Sequence, residues 1–336
     1  MIVSLMKMKN ININIQSHRD VYLDSIAGLL IIFMIYGHCA QMAQERDNIL
    51  YIYGSKCLYF FMAWFFYKSG KFHKKNDTLT IVRKSTNRLI KPFIIYSVIG
   101  QFLHNIYLYF VVHDSNWIHY ILSPIKHIYM YEAVEWNMPL WFLLTLFCVK
   151  IIFNVLINLI SPIWCIIISL FVSCLLAQVE LHTPVIIYNL WISLFFYGLG
   201  FYLGNRAITK KIIFVCVLFY IISIIFPSFV DIRTNRILTG HYVNWVIYCI
   251  FAVIFFNGIF SYVCKSEKFL SYIGKHSMFL FCIHWIFLEI IHSIWDICST
   301  DLGISRIIPY FIFSFILPFS LIGLIDLIKL KLWRSY

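Results

Sequence analysis

Ionisable side chains set within long apolar runs are the residues of this chain best placed to do chemistry, since a polar group in an apolar medium costs free energy and is retained for a reason. Asp24 and His38 stand in VYLDSIAGLLIIFMIYGHCA, Lys150 in WFLLTLFCVKIIF, and Lys275 and His284 in FLSYIGKHSMFLFCIHWIF. A neutral imidazole such as His38 is suited to take a proton from an alcohol as that alcohol attacks a thioester or an acyl carrier. The competing reading is a histidine that merely bonds a backbone carbonyl. On one helix, Asp24 and His38 are separated by roughly 21 Å at about 1.5 Å of rise per residue, and by about 40° around the axis. They share a face and cannot touch, so His38 needs a partner from another helix, or water, to set its tautomer. By the same helical rise, His284 lies roughly 22 Å from the start of its own helix. That matches the depth of His38, so the two rings could border one pocket. Lys150 falls in mid-helix, where it lines a polar cavity or, if that helix begins later, lies nearer the outer face.

The elements that must position these groups follow from composition. Of 336 residues, 61% are hydrophobic and 12% charged, far from the roughly even apolar share and quarter charged share of a soluble domain. Apolar stretches near twenty residues long make lipid the solvent for most of the surface. The reading is all-α: a polytopic integral membrane protein of about ten helices, near 21–42, 51–69, 92–112, 139–160, 162–180, 185–203, 212–230, 244–263, 269–291 and 306–327. It forms one domain, 1–336, with a short tail 1–18. That tail lacks the apolar core and cleavage site of a removable signal, so the first helix is expected to act as an uncleaved anchor.

The net charge of +12 excludes no partner by itself, but the cations sit in short clusters between apolar runs rather than on one basic face, which argues against nucleic acid. They act as topology signals. With both termini cytoplasmic, nineteen Lys and Arg fall on the inside and six on the outside, the asymmetry expected of a multi-pass protein of the inner (plasma) membrane. Ten scattered Cys form no CxxC pair and no zinc spacing with His, so no metal is expected. The one substantial inner loop, 70–91, is strongly basic. Its Arg83, Lys84 and Arg88 could hold phosphates through guanidinium forks and an ammonium group, or simply contact anionic lipid. Lys275 could serve a phosphate too, or snorkel. The longest outer segment, 113–138, carries Asp114, Glu132, Glu135 and Trp136.

Four stretches together resemble membrane acyltransferase family 3, which includes bacterial polysaccharide O-acetyltransferases. They are RDVYLDSIAGLLIIFMIYGH (19–38), LYFFMAWFFYKSGKF (58–72, containing Ser69), NMPLWFLLTLF (137–147, containing Trp141) and FLSYIGKHSMFLFCIHWIF (269–287). The resemblance implies an O-acyltransferase with ten core helices, acetyl-CoA as donor and no permanently bound cofactor. It places an essential His on His38, read here as base or as transient acyl carrier, and family arginines in the loop after the second helix, where Arg83 and Arg88 stand, in agreement with the reading of that loop as the seat of the donor's phosphates. The family's usual cation eleven residues before that His is replaced by Ala27. The reaction expected is transfer of an acetyl group from cytoplasmic acetyl-CoA to a hydroxyl of a cell-surface or lipid-linked glycan of the cell envelope. Trp141, Lys150 and His284 would shape or charge the cavity, with Asp24 and Ser69 in support. The alternatives are a carrier or flippase, or a polymerase, for lipid-linked oligosaccharide, and a non-catalytic scaffold.

Overall fold

The computed structural model describes residues 20–114, 116–180, 184–266, 268–298 and 305–334. The tail 1–18, the inner cations Lys7, Lys9 and Arg19, and the side chains of Lys329, Lys331 and Arg334 lie outside what is described. The first helix, α1 (Val21–Met42), ends where Gln44 turns to a left-handed φ of 59°. Asn48 caps the next, α2 (Ile49–Leu58), by accepting from Leu50 N at 3.0 Å, and α3 (Phe61–Lys71) continues it after a turn at Tyr59 and Phe60. Asp77 caps α4 (Thr78–Ser85) through Thr80 N at 3.1 Å. A π-turn, Thr86–Ile90, then carries α4 directly into α5 (Lys91–Tyr107), and a second, Leu108–Val112, ends the rod.

The remaining elements are α6 (Trp117–Tyr131), a 3-10 segment Glu135–Leu140, α7 (Trp141–Leu159), α8 (Pro162–Leu176), α9 (Ile186–Leu203) and α10 (Lys210–Ile225). A hairpin of β1 (Phe229–Asp231) and β2 (Arg236–Thr239) leads to α11 (Tyr242–Val263). The chain closes with α12 (Phe269–Lys275), α13 (Ser277–Cys298), α14 (Ile307–Phe311), a π-turn Ile312–Ile316 and α15 (Leu317–Arg334).

Among the described residues, eight helical stretches are long and apolar enough to cross a membrane. Each of the ten expected apolar stretches is helical, but α8 and α10 stop short of their expected ends at 180 and 230 and have only 15 and 16 residues. Three further expectations need correction. The outer segment 113–138 is mostly helix, as α6. The basic loop 70–91 is helical from Thr78 onward. The helix expected over 269–291 is broken at His276, whose φ of −101° and ψ of 9° leave the helical region. The expected all-α class stands, with only the short hairpin between α10 and α11 departing from helix.

Lipid exposure is legible on α5, where Ile94, Val98 and Phe102, spaced four apart on one face, are 54%, 62% and 63% exposed. The core is aromatic, with Trp64, Trp245, Tyr197, Tyr310 and Phe196 all buried. Two backbone crossings hold it. Gly28 on α1 and Gly274 on α12 lie against each other's helix so closely that a methyl on either would overlap a backbone carbonyl, of Leu270 or of Asp24. Gly70 on α3 and Gly200 on α9 meet the carbonyls of Tyr197 and Tyr67 in the same way. Such small-residue contacts let helices approach in an apolar solvent, where burial of side chains against lipid gives little net drive.

Candidate active site

The last turns of α1 present Met34, Gly37, His38 and Gln41 along one face, at the spacing of three and four residues that makes helical neighbours. They line a cavity of about 410 Å³. The opposite walls come from Phe61, Met62 and Ala63 of α3, from Met138, Pro139 and Trp141 at the start of α7, and from Phe281 and Trp285 of α13. The hairpin contributes Asp231, Arg233 and Leu238, and the turn after α1 contributes Arg46. The cavity is thus aromatic and apolar on most sides and charged where the hairpin covers it.

His38 is held by three neighbours. Its Nδ1 donates to Oε1 of Gln41 at 3.2 Å, which leaves the lone pair on Nε2. Its ring stacks on His284, with centroids 5.5 Å apart and planes at 18°, and meets Trp285 edge-on at 5.0 Å. His284 is fully buried. Its Nδ1 donates to the carbonyl of Leu280 at 3.0 Å, so its Nε2 is an acceptor, and among the described residues that atom has no partner. Trp285 is aimed by its own bond, Nε1 donating to Glu289 Oε1 at 2.8 Å. The equal depth expected of His38 and His284 therefore corresponds to a ring-on-ring contact. The partner that orients His38 lies on its own helix.

Trp141 lines the same cavity, but Lys150 does not. It lies in α7 beyond Trp141, toward the end where Asn154 donates to the carbonyl of Asn76 at 3.1 Å. There the charge of Arg88 acts on Lys150, and the charge of Lys150 acts on His73. Contrary to expectation, Lys150 thus does not line the His38 cavity but stands with Arg88 and His73. A linear count along one helix places a residue in depth without telling which neighbour it faces. His73 bonds Tyr197 Oη at 2.7 Å, and burial, reinforced by Lys150, pushes its pKa down to about 4.

Asp24 and Ser69 also lie at this end. Asp24 accepts from Lys68 Nζ at 3.4 Å, tying α1 to α3, and Lys68 also lies 5.3 Å over the ring of Trp64. Ser69 is partly buried beside the Gly70 crossing. Arg83, Lys84 and Arg88 are exposed on α4 and the following π-turn, and Lys275 is exposed where α12 passes the Asp24 stretch of α1. The structure brings His38, His284 and Trp141 together and gathers Arg88, Lys150 and His73 elsewhere.

Behind the cavity, Glu132 is buried at the end of α6 with a left-handed φ of 62°. It accepts from Thr145 Oγ1 at 2.7 Å and from Asn189 Nδ2. Burial pushes its carboxyl up to about 7, against those bonds and the charge of Arg233. Sequence reading missed Glu289, whose signal was available as an acidic residue in the apolar run IFLEIIH. Arg46 and Arg233 are two of the six cations counted on the outside, and nothing in their spacing announces the cavity. Among the described residues, no group of His, Cys, Asp and Glu is placed to hold a metal ion.

The acyltransferase family 3 model, described as an acyltransferase domain, matches residues 20–323. This chain belongs to that family. As an acyltransferase family 3 protein it is a membrane acyltransferase. The match begins at the first residue of the described bundle and takes in every residue that lines the His38 cavity. No curated protein and no solved structure matches the chain significantly.

Proposed function

We propose that this protein is an O-acetyltransferase that moves an acetyl group from cytoplasmic acetyl-CoA to a hydroxyl of a cell-surface or lipid-linked glycan, working in the inner membrane with both termini in the cytoplasm. The observation that carries the reading is the placement of His38: in the wall of a cavity, its Nδ1–H committed to Gln41, with Nε2 left as the basic atom. Nε2 takes the proton of the acceptor hydroxyl as its oxygen attacks the thioester carbonyl. The C–S bond then breaks, the ester forms, and the departing thiolate recovers a proton from the imidazolium or from water. His284 and Trp285 fix the imidazole ring so that this geometry is preset, which is how orientation lowers a barrier.

The donor enters from the opposite face. Arg83, Lys84, Arg88 and Lys275 hold the phosphates of its nucleotide end, since guanidinium forks match phosphate oxygens bidentately, and Lys150 draws the chain of the donor inward. Trp141 offers a flat apolar wall of the kind on which a sugar ring stacks. The test is direct. Protein reconstituted in vesicles with acetyl-labelled acetyl-CoA on the cytoplasmic side should deposit label as an alkali-labile ester on glycan at the other side. Label that stays with the donor, with the protein folded and inserted, removes this reading and leaves transport or polymerisation of lipid-linked oligosaccharide.

A further inference from the structure

The charged side of the cavity is unlike the rest of it. Arg46 and Arg233 both line it, with Asp231 the one carboxylate in that lining. Asp231 is taken up by its own turn: Oδ1 accepts from Arg233 N at 3.0 Å and Oδ2 from Thr234 Oγ1 at 2.8 Å. Arg233 is anchored by one end of its fork, Nη2 donating to the carbonyl of Tyr131 at 3.0 Å and lying 3.9 Å from Met138 Sδ, a weak acceptor. Its Nε is buried and, among the described residues, meets no acceptor. Glu132 also interacts with Arg233, but its raised pKa leaves it only partly charged near neutrality. Arg46, on the turn after α1, lines the same cavity and is exposed, with Tyr59 within reach of both its charge and that of Asp231.

Two guanidinium groups therefore face one cavity against a single committed carboxylate, and a buried guanidinium N–H without an acceptor is a costly arrangement to leave unfilled. A neutral sugar would repay it poorly, whereas a carboxylate or phosphate would satisfy the fork with charge-assisted bonds. We infer that the acceptor is an anionic glycan, whose carboxylate or phosphate is held between Arg46 and Arg233 while a hydroxyl of the same or the adjoining sugar faces His38. This rests on the proposed acyl transfer for its meaning, but it can be tested by binding alone.

The full chain in nanodiscs of neutral lipid should be titrated calorimetrically with methyl β-glucuronide, glucose 6-phosphate and methyl β-glucoside. One or both anionic sugars should bind at least about tenfold more tightly than the glucoside, the scale expected of a charge-assisted pair. Which of the two gains more separates a uronate from a phosphate. Arg46→Gln and Arg233→Gln should each bring that ratio to about one. Arg46 makes no bond that holds the hairpin, so its variant remains decisive if Arg233→Gln misfolds. Equal binding of all three sugars, no binding, or a preference that survives Arg46→Gln would overturn the inference. Acetyl transfer onto the same three sugars, measured separately, reads the enzymatic proposal: a charge preference without transfer would sink the acyltransfer chemistry and leave the anion site standing.

Discussion

At the His38 end of α1, His38, Arg46 and Arg233 line one cavity and His284 stacks on His38, whereas at the Asp24 end charged groups pair with one another or stand on the surface. His284 and Arg233 each keep one buried nitrogen with no partner among the described residues, Nε2 and Nε, and the bond from Nδ1 of His38 to Gln41 leaves its Nε2 uncommitted. Asp24 and Lys68, by contrast, are joined to each other, and Arg83, Lys84 and Arg88 are exposed. The contrast teaches that burial of charge divides into two kinds. Paired charge fastens helices, and charge with an uncommitted atom facing a void is available to a ligand.

The severest way to break this comparison is to remove the fastening. Gly274→Leu places a side chain where α1's backbone already lies, so no monodisperse folded protein should be extracted from membranes; wild-type yield and melting temperature would contradict the close crossing. Next is His38→Ala, which should leave the bundle folded and lower kcat by roughly 10² to 10⁴, the range of general-base catalysis. A variant turning over at the wild-type rate would remove His38 from the chemistry. At the opposite end, Arg83→Gln combined with Arg88→Gln should raise the KM for acetyl-CoA about tenfold or more, with a smaller effect on kcat. An effect confined to kcat would show that these cations do not hold the donor.

The smallest effect concerns Glu132. Its folded pKa of about 7 lies above the ordinary carboxylate value, so the folded state keeps a proton that the unfolded state releases. Stability is therefore lost as pH rises from about 4.5 to about 7 and is level above that window. Glu132→Gln carries no such penalty. Its melting temperature minus that of the wild type should grow from pH 5 to pH 7.5, by a few degrees; a difference that does not change with pH would mean that Glu132 ionises freely. His73, with its pKa lowered to about 4, acts oppositely: its contribution is lost as pH falls from about 6.5 through 4. Only the difference between variant and wild type isolates Glu132.

Much of the bundle was legible because lipid imposes long apolar runs that interrupted sequence cannot hide. The meeting of His38 with His284 was legible too, since helical rise converts sequence separation into depth. What rise does not encode is azimuth between different helices. Lys150 was assigned to the wrong neighbourhood for that reason. The hairpin was invisible for another: β1 and β2 hold three and four residues, too few to set an alternating pattern, so Arg233 looked like any loop cation. The break at His276 was hidden because FLSYIGKHSMFLF reads as uninterrupted apolar helix on either side of it.

One continuous rod, Thr78 to Val112, joins these two worlds. Near its base it bears Arg83 and Arg88, and part-way along, Gly100 rests on the backbone of Trp136 and the side chain of Asn137, the segment that passes straight into Met138, Pro139 and Trp141. A single length of backbone therefore borders both neighbourhoods: the helix that carries the exposed cations is the one packed against the segment leading into Trp141, so a substitution widening the Gly100 contact would be felt on both sides of the bundle.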